Sequence, residues 1–233
     1  MSLLLEPAES ARKTGKRRGK AERTRISRST LSVRSSVDRP DPVGLLESQA
    51  YTRVPELVPI RYGRMAQSQF AFFRGAALVM ADDLARSPST GLHVQLCGDA
   101  HMSNFGVYAT PERKLTFDVN DFDETYPGPF EWDVKRLAAS LVIGALDRGF
   151  GIEVGAAFAR EAAAAYHRTM VESAALGNLD VWYAHIDVES DLRALDIPLD
   201  AALRKRLDTA VRKARGRSSE QVLGKLTVVE NGE

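Results

Sequence analysis

The chain is poor in cysteine, in aromatic residues and in long apolar runs. One cysteine, Cys97, among 233 residues permits no intrachain disulfide and is too few for a cysteine-based zinc site, so a reducing compartment is expected. No run approaches the ~18 consecutive apolar residues of a membrane-spanning helix, and the first ten residues lack the apolar core of a signal peptide. These features predict a cytoplasmic protein without a membrane span.

Charge is distributed unevenly along the chain. Residues 1–40 hold eleven Lys and Arg against four acids, a net +7 that leaves −6 for the remainder. Because the segment from Ala8 to Pro42 has few apolar residues and no sustained period, we predict a disordered basic tail over 1–42 and a folded domain over 43–233. No aromatic residue interleaves with these charges, so nucleic acid is expected to make only weak contact with the tail, which otherwise has no dedicated partner.

Hydrophobic periodicity predicts an α+β, mostly helical fold. Residues Phe70, Phe73, Ala77, Met80 and Leu84 recur at spacings of three and four, which predicts one helix from Ser68 that ends before Pro88. Alternation then predicts strands over 92–97, 105–108 and 115–119, with a turn at 110–113. Further helices are expected over 131–147, 154–176 and 200–215.

The last residues read as half of a β-hairpin. Residues 226–229 are typical of a strand, and Glu230-Asn231-Gly232 follows with a strong hairpin signal. No return strand follows, so we expect that this strand pairs elsewhere or that the C-terminal part of the domain is missing from the chain.

Two acidic segments carry the candidate chemistry. Residues 97–104 (CGDAHMSN) follow one predicted strand, and residues 117–124 (FDVNDFDE) end another. Carboxylate and amide oxygens in such loops can converge on one pocket and suit Mg²⁺, which completes its shell with water and phosphate. A remaining aspartate could then take the proton of a hydroxyl. The spacing leaves open whether Asp118, Asp123 and Glu124 add to this site.

The spacing from Gly98-Asp99-x-His101-x-x-Asn104 to Asp121-Phe122-Asp123 and Trp132-Asp133-Val134 resembles the catalytic segment of aminoglycoside phosphotransferases and related kinase-like enzymes. The resemblance implies the helical lobe of a kinase-like fold, with a small β-hairpin carrying the acidic motif, and an ATP- and Mg²⁺-dependent small-molecule kinase. It implies Asp99 as the catalytic base and Asn104 and Asp121 as magnesium ligands. Asp133 would brace the loop and His101 would pack it, whereas Cys97 departs from the usual pattern.

A longer stretch is similar to the bacterial domain of unknown function 2252 family. The similarity runs through Arg61-Tyr62-Gly63-Arg64-Met65, Phe72-Phe73-Arg74-Gly75-Ala76, Asn120-Asp121-Phe122-Asp123-Glu124-Thr125 and Glu131-Trp132-Asp133-Val134-Lys135-Arg136-Leu137-Ala138, and covers roughly 55–233. Members have no assigned activity and typically extend beyond this chain's end, where a glycine-rich stretch and a lysine could serve a nucleotide. No Gly-x-Gly-x-x-Gly or Walker-type motif is present here, so the chain by itself is expected to bind nucleotide weakly or not at all.

Other interpretations of these residues stay open. The acidic residues could be turn and capping residues, and the chain a non-catalytic, degenerate kinase-like module. Asp99-x-His101 also begins the ligand set of two-metal phosphoesterases, although the further histidines that such a site needs are not evident. Arg61, Arg64 and Arg74 could clamp phosphate or simply lie on a solvated helix face. The sequence specifies neither the substrate nor the oligomeric state.

Overall fold

A computed structural model describes residues 8–32, 39–110, 114–188, 190–191, 204–205, 208–209 and 211–212. The fold is α+β and mostly helical, with small antiparallel strand pairs, as the sequence predicts. The helices are α1 (Ala8–Arg25), α2 (Pro42–Ala50), α3 (Val58–Met65), α4 (Gln69–Gly75), α5 (Ala77–Ala85), α6 (Glu131–Asp147), α7 (Ile152–Ser173) and α8 (Asn178–Tyr183). The strands are β1 (His93–Leu96), β2 (Phe105–Ala109), β3 (Leu115–Val119) and β4 (Tyr126–Pro129).

The chain forms two compact units. The first is built from Met1–Met102 and Asp121–Trp182, and the second from Ser103–Asn120 and Tyr183–Glu233. In the first, β1 pairs antiparallel with β4, and a buried cluster joins α2, α3 and α5 through Leu46, Met65, Ala76 and Val79. In the second, β2 pairs antiparallel with β3, and Leu115 packs against Val188.

Helix α6 holds both ends of strand β1 from its first turn. The buried Glu131 carboxylate accepts hydrogen bonds from the backbone N–H and the hydroxyl of Thr90, at 2.7 and 2.8 Å, just before the strand. Asp133 accepts bonds from the backbone just after it, as described below. Acidic side chains are also favoured at a helix N-terminus by the helix dipole. The sequence predicts this helix over 131–147, and the structure has the same bounds.

The N-terminal segment differs from its predicted disorder, because Ala8–Arg25 forms helix α1. Alanine, arginine, lysine and glutamate have high helix propensity, and two arginines attach the helix to other elements of the first unit. Arg12 donates to the backbone oxygen of Ala174 at 2.9 Å, and Arg25 donates to that of Thr90 at 2.6 Å. Contacts this distant in sequence cannot be read from local composition.

The helix predicted from Ser68 is interrupted. Ala76, at φ −117° and ψ 38°, separates α4 from α5. Arginine side chains bind carbonyls at the break: Arg61 donates to Gly75 O, and Arg136 donates to Phe73 O, which also accepts from the backbone N–H of Ala76. The interruption therefore places two cationic side chains against the end of α4.

Strand β4 and helix α8 were not predicted. Strand β4 has the sequence Tyr-Pro-Gly-Pro, which looks like a turn, but proline is tolerated in a pair whose strands are both edges. Helix α8 follows the predicted break at Gly177. A helix is predicted over 200–215, and the described positions within it, 204–205, 208–209 and 211–212, are helical. Two other predictions lie outside the described residues: residues 111–113 of the predicted turn and the strand over 226–229. Across the part of the chain that the structure describes, no helix is long and apolar enough to cross a membrane.

Candidate active site

Pairing of β1 with β4 brings two acidic loops together. Leu96, at the end of β1, lies opposite Tyr126, at the start of β4, so the loop 97–101 and the loop 121–125 leave the strand pair at the same end. Thr125 Oγ1 donates to Leu96 O at 2.7 Å and ties the loops together. Gly98 has φ +89°, and a Cβ there would overlap the backbone carbonyl of Glu124. Glycine is therefore required where the loops cross.

Asp133 braces the loop that follows β1. Its two carboxylate oxygens accept hydrogen bonds from the backbone N–H groups of Cys97 and Gly98, at 2.7 and 3.1 Å. Burial raises the pKa of Asp133, while the two hydrogen bonds act in the opposite direction. A helix residue thus fixes the backbone immediately before Asp99.

The Asp99 side chain is buried and held by an arginine. Its Oδ1 accepts a hydrogen bond from Arg136 Nε at 2.7 Å, and the two residues are 7% and 3% exposed. Arg136 also donates to Phe73 O at 2.7 Å, and its guanidinium carbon lies 3.8 Å from the centroid of the Phe73 ring. With three interactions on one guanidinium, the Asp99 carboxylate has a fixed orientation.

His101 packs beneath the same loop. It is 3% exposed, its Nε2 lies 3.7 Å from Asp99 Oδ2, and its ring meets Phe70 edge to face at 6.3 Å. Burial lowers the pKa of His101, against the effect of Asp99, and the charges of Arg74 and Arg136 lower it further. This shift favours the neutral form of the imidazole, as suits a packing residue, and Arg74, whose charge contributes to it, is exposed.

Four carboxylates make up what we call the acidic cluster: Asp99, Asp121, Asp123 and Glu124. Burial raises the pKa of Glu124 first, and the negative charges of the other three raise it further. Since Asp121 and Asp123 are exposed, this negative potential faces solvent and would attract a cation.

Asn104 belongs to the second unit, unlike the other predicted site residues. It is 7% exposed, and its backbone oxygen accepts a hydrogen bond from Asn120 N at 3.0 Å. Its role as a magnesium ligand together with Asp121 stays a prediction.

The donor chemistry of the acidic cluster suits Mg²⁺, which prefers carboxylate oxygens. Within the described ranges, no three His, Cys, Asp or Glu side chains are grouped as a metal site. A magnesium ion at this cluster would therefore take most of its ligands from water and phosphate. No observation favours the phosphoesterase alternative, which needs more protein ligands.

Cys97 is not placed for nucleophilic chemistry. Burial and the neighbouring carboxylates raise the pKa of the Cys97 thiol to about 11, so the thiol stays protonated. Its Sγ lies 3.6 Å from Asp121 O, to which the thiol donates. In this environment Cys97 acts as a small, partly buried hydrophobe.

Sequence reasoning missed Arg136 as a site residue. In the sequence analysis Arg136 is named only as part of a family motif. In the structure it lies on the buried face of α6, four residues from both Trp132 and Ser140. A charged residue on the apolar face of a predicted helix was the available signal. Its partner Asp99 is 37 residues away in sequence, so the signal could not name the pair.

Residues 53–233 match the sequence model of a family described as "Uncharacterized protein conserved in bacteria (DUF2252)". The matched range agrees with the similarity expected over 55–233. No curated protein matches the chain, and no solved structure matches it. Because the match covers most of the chain, the protein belongs to this family.

Proposed function

We propose that this member of the DUF2252 family is a phosphotransferase that moves the γ-phosphoryl group of ATP to a hydroxyl of a small molecule with Mg²⁺. The observation that carries the proposal is the bracing of the loop 97–101 by Asp133, at the end of the β1–β4 pair where the acidic cluster gathers. Phosphoryl transfer depends on positioning and on neutralising charge, and these features supply a fixed loop and a cation-attracting potential.

Asp99 acts as the base in this proposal. The acceptor hydroxyl gives its proton to Asp99 as its oxygen bonds to the γ-phosphorus, and the bond from that phosphorus to the β–γ bridging oxygen breaks to leave ADP. Arg136 donates a hydrogen bond to Oδ1 of Asp99, and this contact fixes the orientation of the other carboxylate oxygen, Oδ2. Asn104 and Asp121 would hold the magnesium ion, which supplies neutralisation of the phosphate charge when bound.

The remaining site residues support these two roles. Asp123 and Glu124 add negative potential for the cation, and His101 packs the loop as an uncharged ring. Arg74 is an exposed cation whose charge reaches His101, so it is suited to clamp a phosphate oxygen.

The test is label transfer from γ-³²P-ATP, with Mg²⁺, to a small-molecule fraction of bacterial extract, resolved by chromatography. Asp99→Asn should lower the transfer rate by about 100-fold or more, as expected for loss of a general base, while circular dichroism shows a folded protein. Asp208→Asn, at an exposed position outside the acidic cluster, should keep the rate. Because this chain by itself is expected to bind nucleotide weakly or not at all, the same assay is run on a longer member of the family that carries the glycine-rich stretch and the lysine. Absence of transfer by that folded protein, or an unchanged rate after the Asp→Asn change at its residue matching Asp99, would overturn the proposal.

A second candidate function is that of a non-catalytic module, and the ion pair of Asp99 favours it. A carboxylate bound to a buried arginine has a structural role whether or not it takes a proton. In that case Asp99→Asn would lower stability, and no label transfer would be seen for the wild-type protein either. The two candidates therefore differ in the wild-type assay.

A further inference from the structure

Helix α1 carries a one-sided row of basic side chains that the proposed phosphotransfer does not use. Over residues 12–25 the helix has eight Lys and Arg against one acid, Glu22, and Glu22 is paired with Arg25 at 2.8 Å. We call the row the basic stripe, which consists of Lys13, Lys16, Arg17, Lys20 and Arg23. All five residues are exposed.

The helical spacing puts the basic stripe on one face. At 100° per residue its five members fall within an arc of about 120°, and at 1.5 Å per residue they extend along about 15 Å of the axis. Arg25 lies roughly opposite the middle of this arc and donates to the backbone oxygens of Thr90 and Ser89, at 2.6 and 3.3 Å. Near the other end, Arg12 lies about 20° outside the edge of the arc and donates to Ala174 O at 2.9 Å. Both ends of the helix are therefore attached to the first unit while the stripe faces solvent.

We propose that the basic stripe binds the phosphate backbone of duplex DNA without reading its sequence. A duplex presents one negative charge per ~1.7 Å of axis, or about nine over the length of the stripe, so each of the five cations can face a phosphate. Helix α1 has no aromatic side chain on which unpaired bases could stack, so a single strand is a poorer fit. It also has no Leu, Ile, Val, Phe or Trp to enter a lipid surface.

The experiment is fluorescence anisotropy of a labelled 20-base-pair duplex with the 233-residue chain, over a range of salt concentrations. Five phosphate contacts give a slope of log K against log salt near −4.5, so affinity should fall about 500-fold between 50 and 200 mM salt. Replacing Lys16, Lys20 and Arg23 with glutamine leaves two contacts, so the slope should drop to about −1.8.

A matched control removes the same charge elsewhere. Arg18→Gln, Arg148→Gln and Arg160→Gln together also remove three positive charges, from exposed positions outside the stripe, and should keep the wild-type slope. An equal loss in both triple variants would overturn the proposal, since net charge rather than the stripe would then bind DNA. Tighter binding to a single strand of the same length, or to vesicles of anionic lipid, would overturn it as well.

Discussion

Replacing Arg136 with methionine should destabilise the protein strongly, because it leaves the buried carboxylate of Asp99 without its partner. The change removes the 2.7 Å ion pair to Asp99, the hydrogen bond to Phe73 O and the stacking on the Phe73 ring. Removing one member of a buried pair costs about 3–5 kcal/mol. At roughly 2–4 °C per kcal/mol for a chain of this size, Tm should fall by about 6–20 °C.

Urea unfolding followed by tryptophan fluorescence measures this loss, and an exposed ion pair supplies the control. Arg39 donates to both carboxylate oxygens of Asp83, at 2.7 and 2.9 Å, in a pair that is more exposed than that of Arg136 with Asp99. Arg39→Met should cost no more than about 1 kcal/mol. The double variant Asp99→Asn/Arg136→Met should be more stable than the two single losses predict by addition. Equal costs for Arg136→Met and Arg39→Met, or additive losses in the double variant, would refute the reasoning.

The other predictions concern the same loops. Gly98→Ala should cost more than about 2 kcal/mol in thermal unfolding, because φ is +89° and the new Cβ meets Glu124 O. Gly149→Ala is the control: Gly149 has φ +78° but open space around it, so this change should cost only the backbone strain of about 1–2 kcal/mol. Equal costs for the two changes would contradict the contact of Gly98 with Glu124. Ser140→Ala should cost about 1–3 kcal/mol, since it leaves the backbone N–H of Met102 without its 2.9 Å acceptor, and an unchanged Tm would count against that bond. Glu124→Gln should make the protein more stable than wild type at pH 7. Because the pKa of Glu124 is raised in the folded state, its ionisation lowers the stability of the wild-type protein above the usual pKa of 4.5 and has no such effect below it. The stability gained by Glu124→Gln is measured by urea unfolding at pH 3.5 and pH 7, and an equal gain at both would contradict this reasoning.

The sequence predicted those helices and strands whose own residues carry a hydrophobic pattern. Helix α6 follows two prolines and carries apolar residues near one face, and its predicted range, roughly 131–147, agrees with the structure. Strands β1, β2 and β3 were also predicted, and apolar and polar residues alternate along the sequences of β1 and β3. In contrast, β4 is defined by its pairing with β1, more than thirty residues earlier, and its Tyr-Pro-Gly-Pro sequence gives no strand signal.

The candidate site shows the same division. Asp99, Asp121 and Asp133 were selected by the spacing of a motif, which is a local property. The arginine that orients Asp99 and the contact of Gly98 with the loop before β4 depend on residues brought together only by the fold. A motif therefore named the acidic residues, but not the groups that hold them in place.

The proposed function requires the acidic cluster to bind a divalent cation, and the carboxyl ¹³C resonance of Glu124 reports whether it does. The resonance is assigned with Glu124→Gln and titrated with acid, first in NaCl and then in MgCl₂ at the same ionic strength. We expect the pKa of Glu124 to lie above 4.5 in NaCl, because burial and the neighbouring carboxylates raise it, and to fall in MgCl₂, because a bound cation offsets those charges. A pKa of Glu124 that is the same in both salts would contradict the claim.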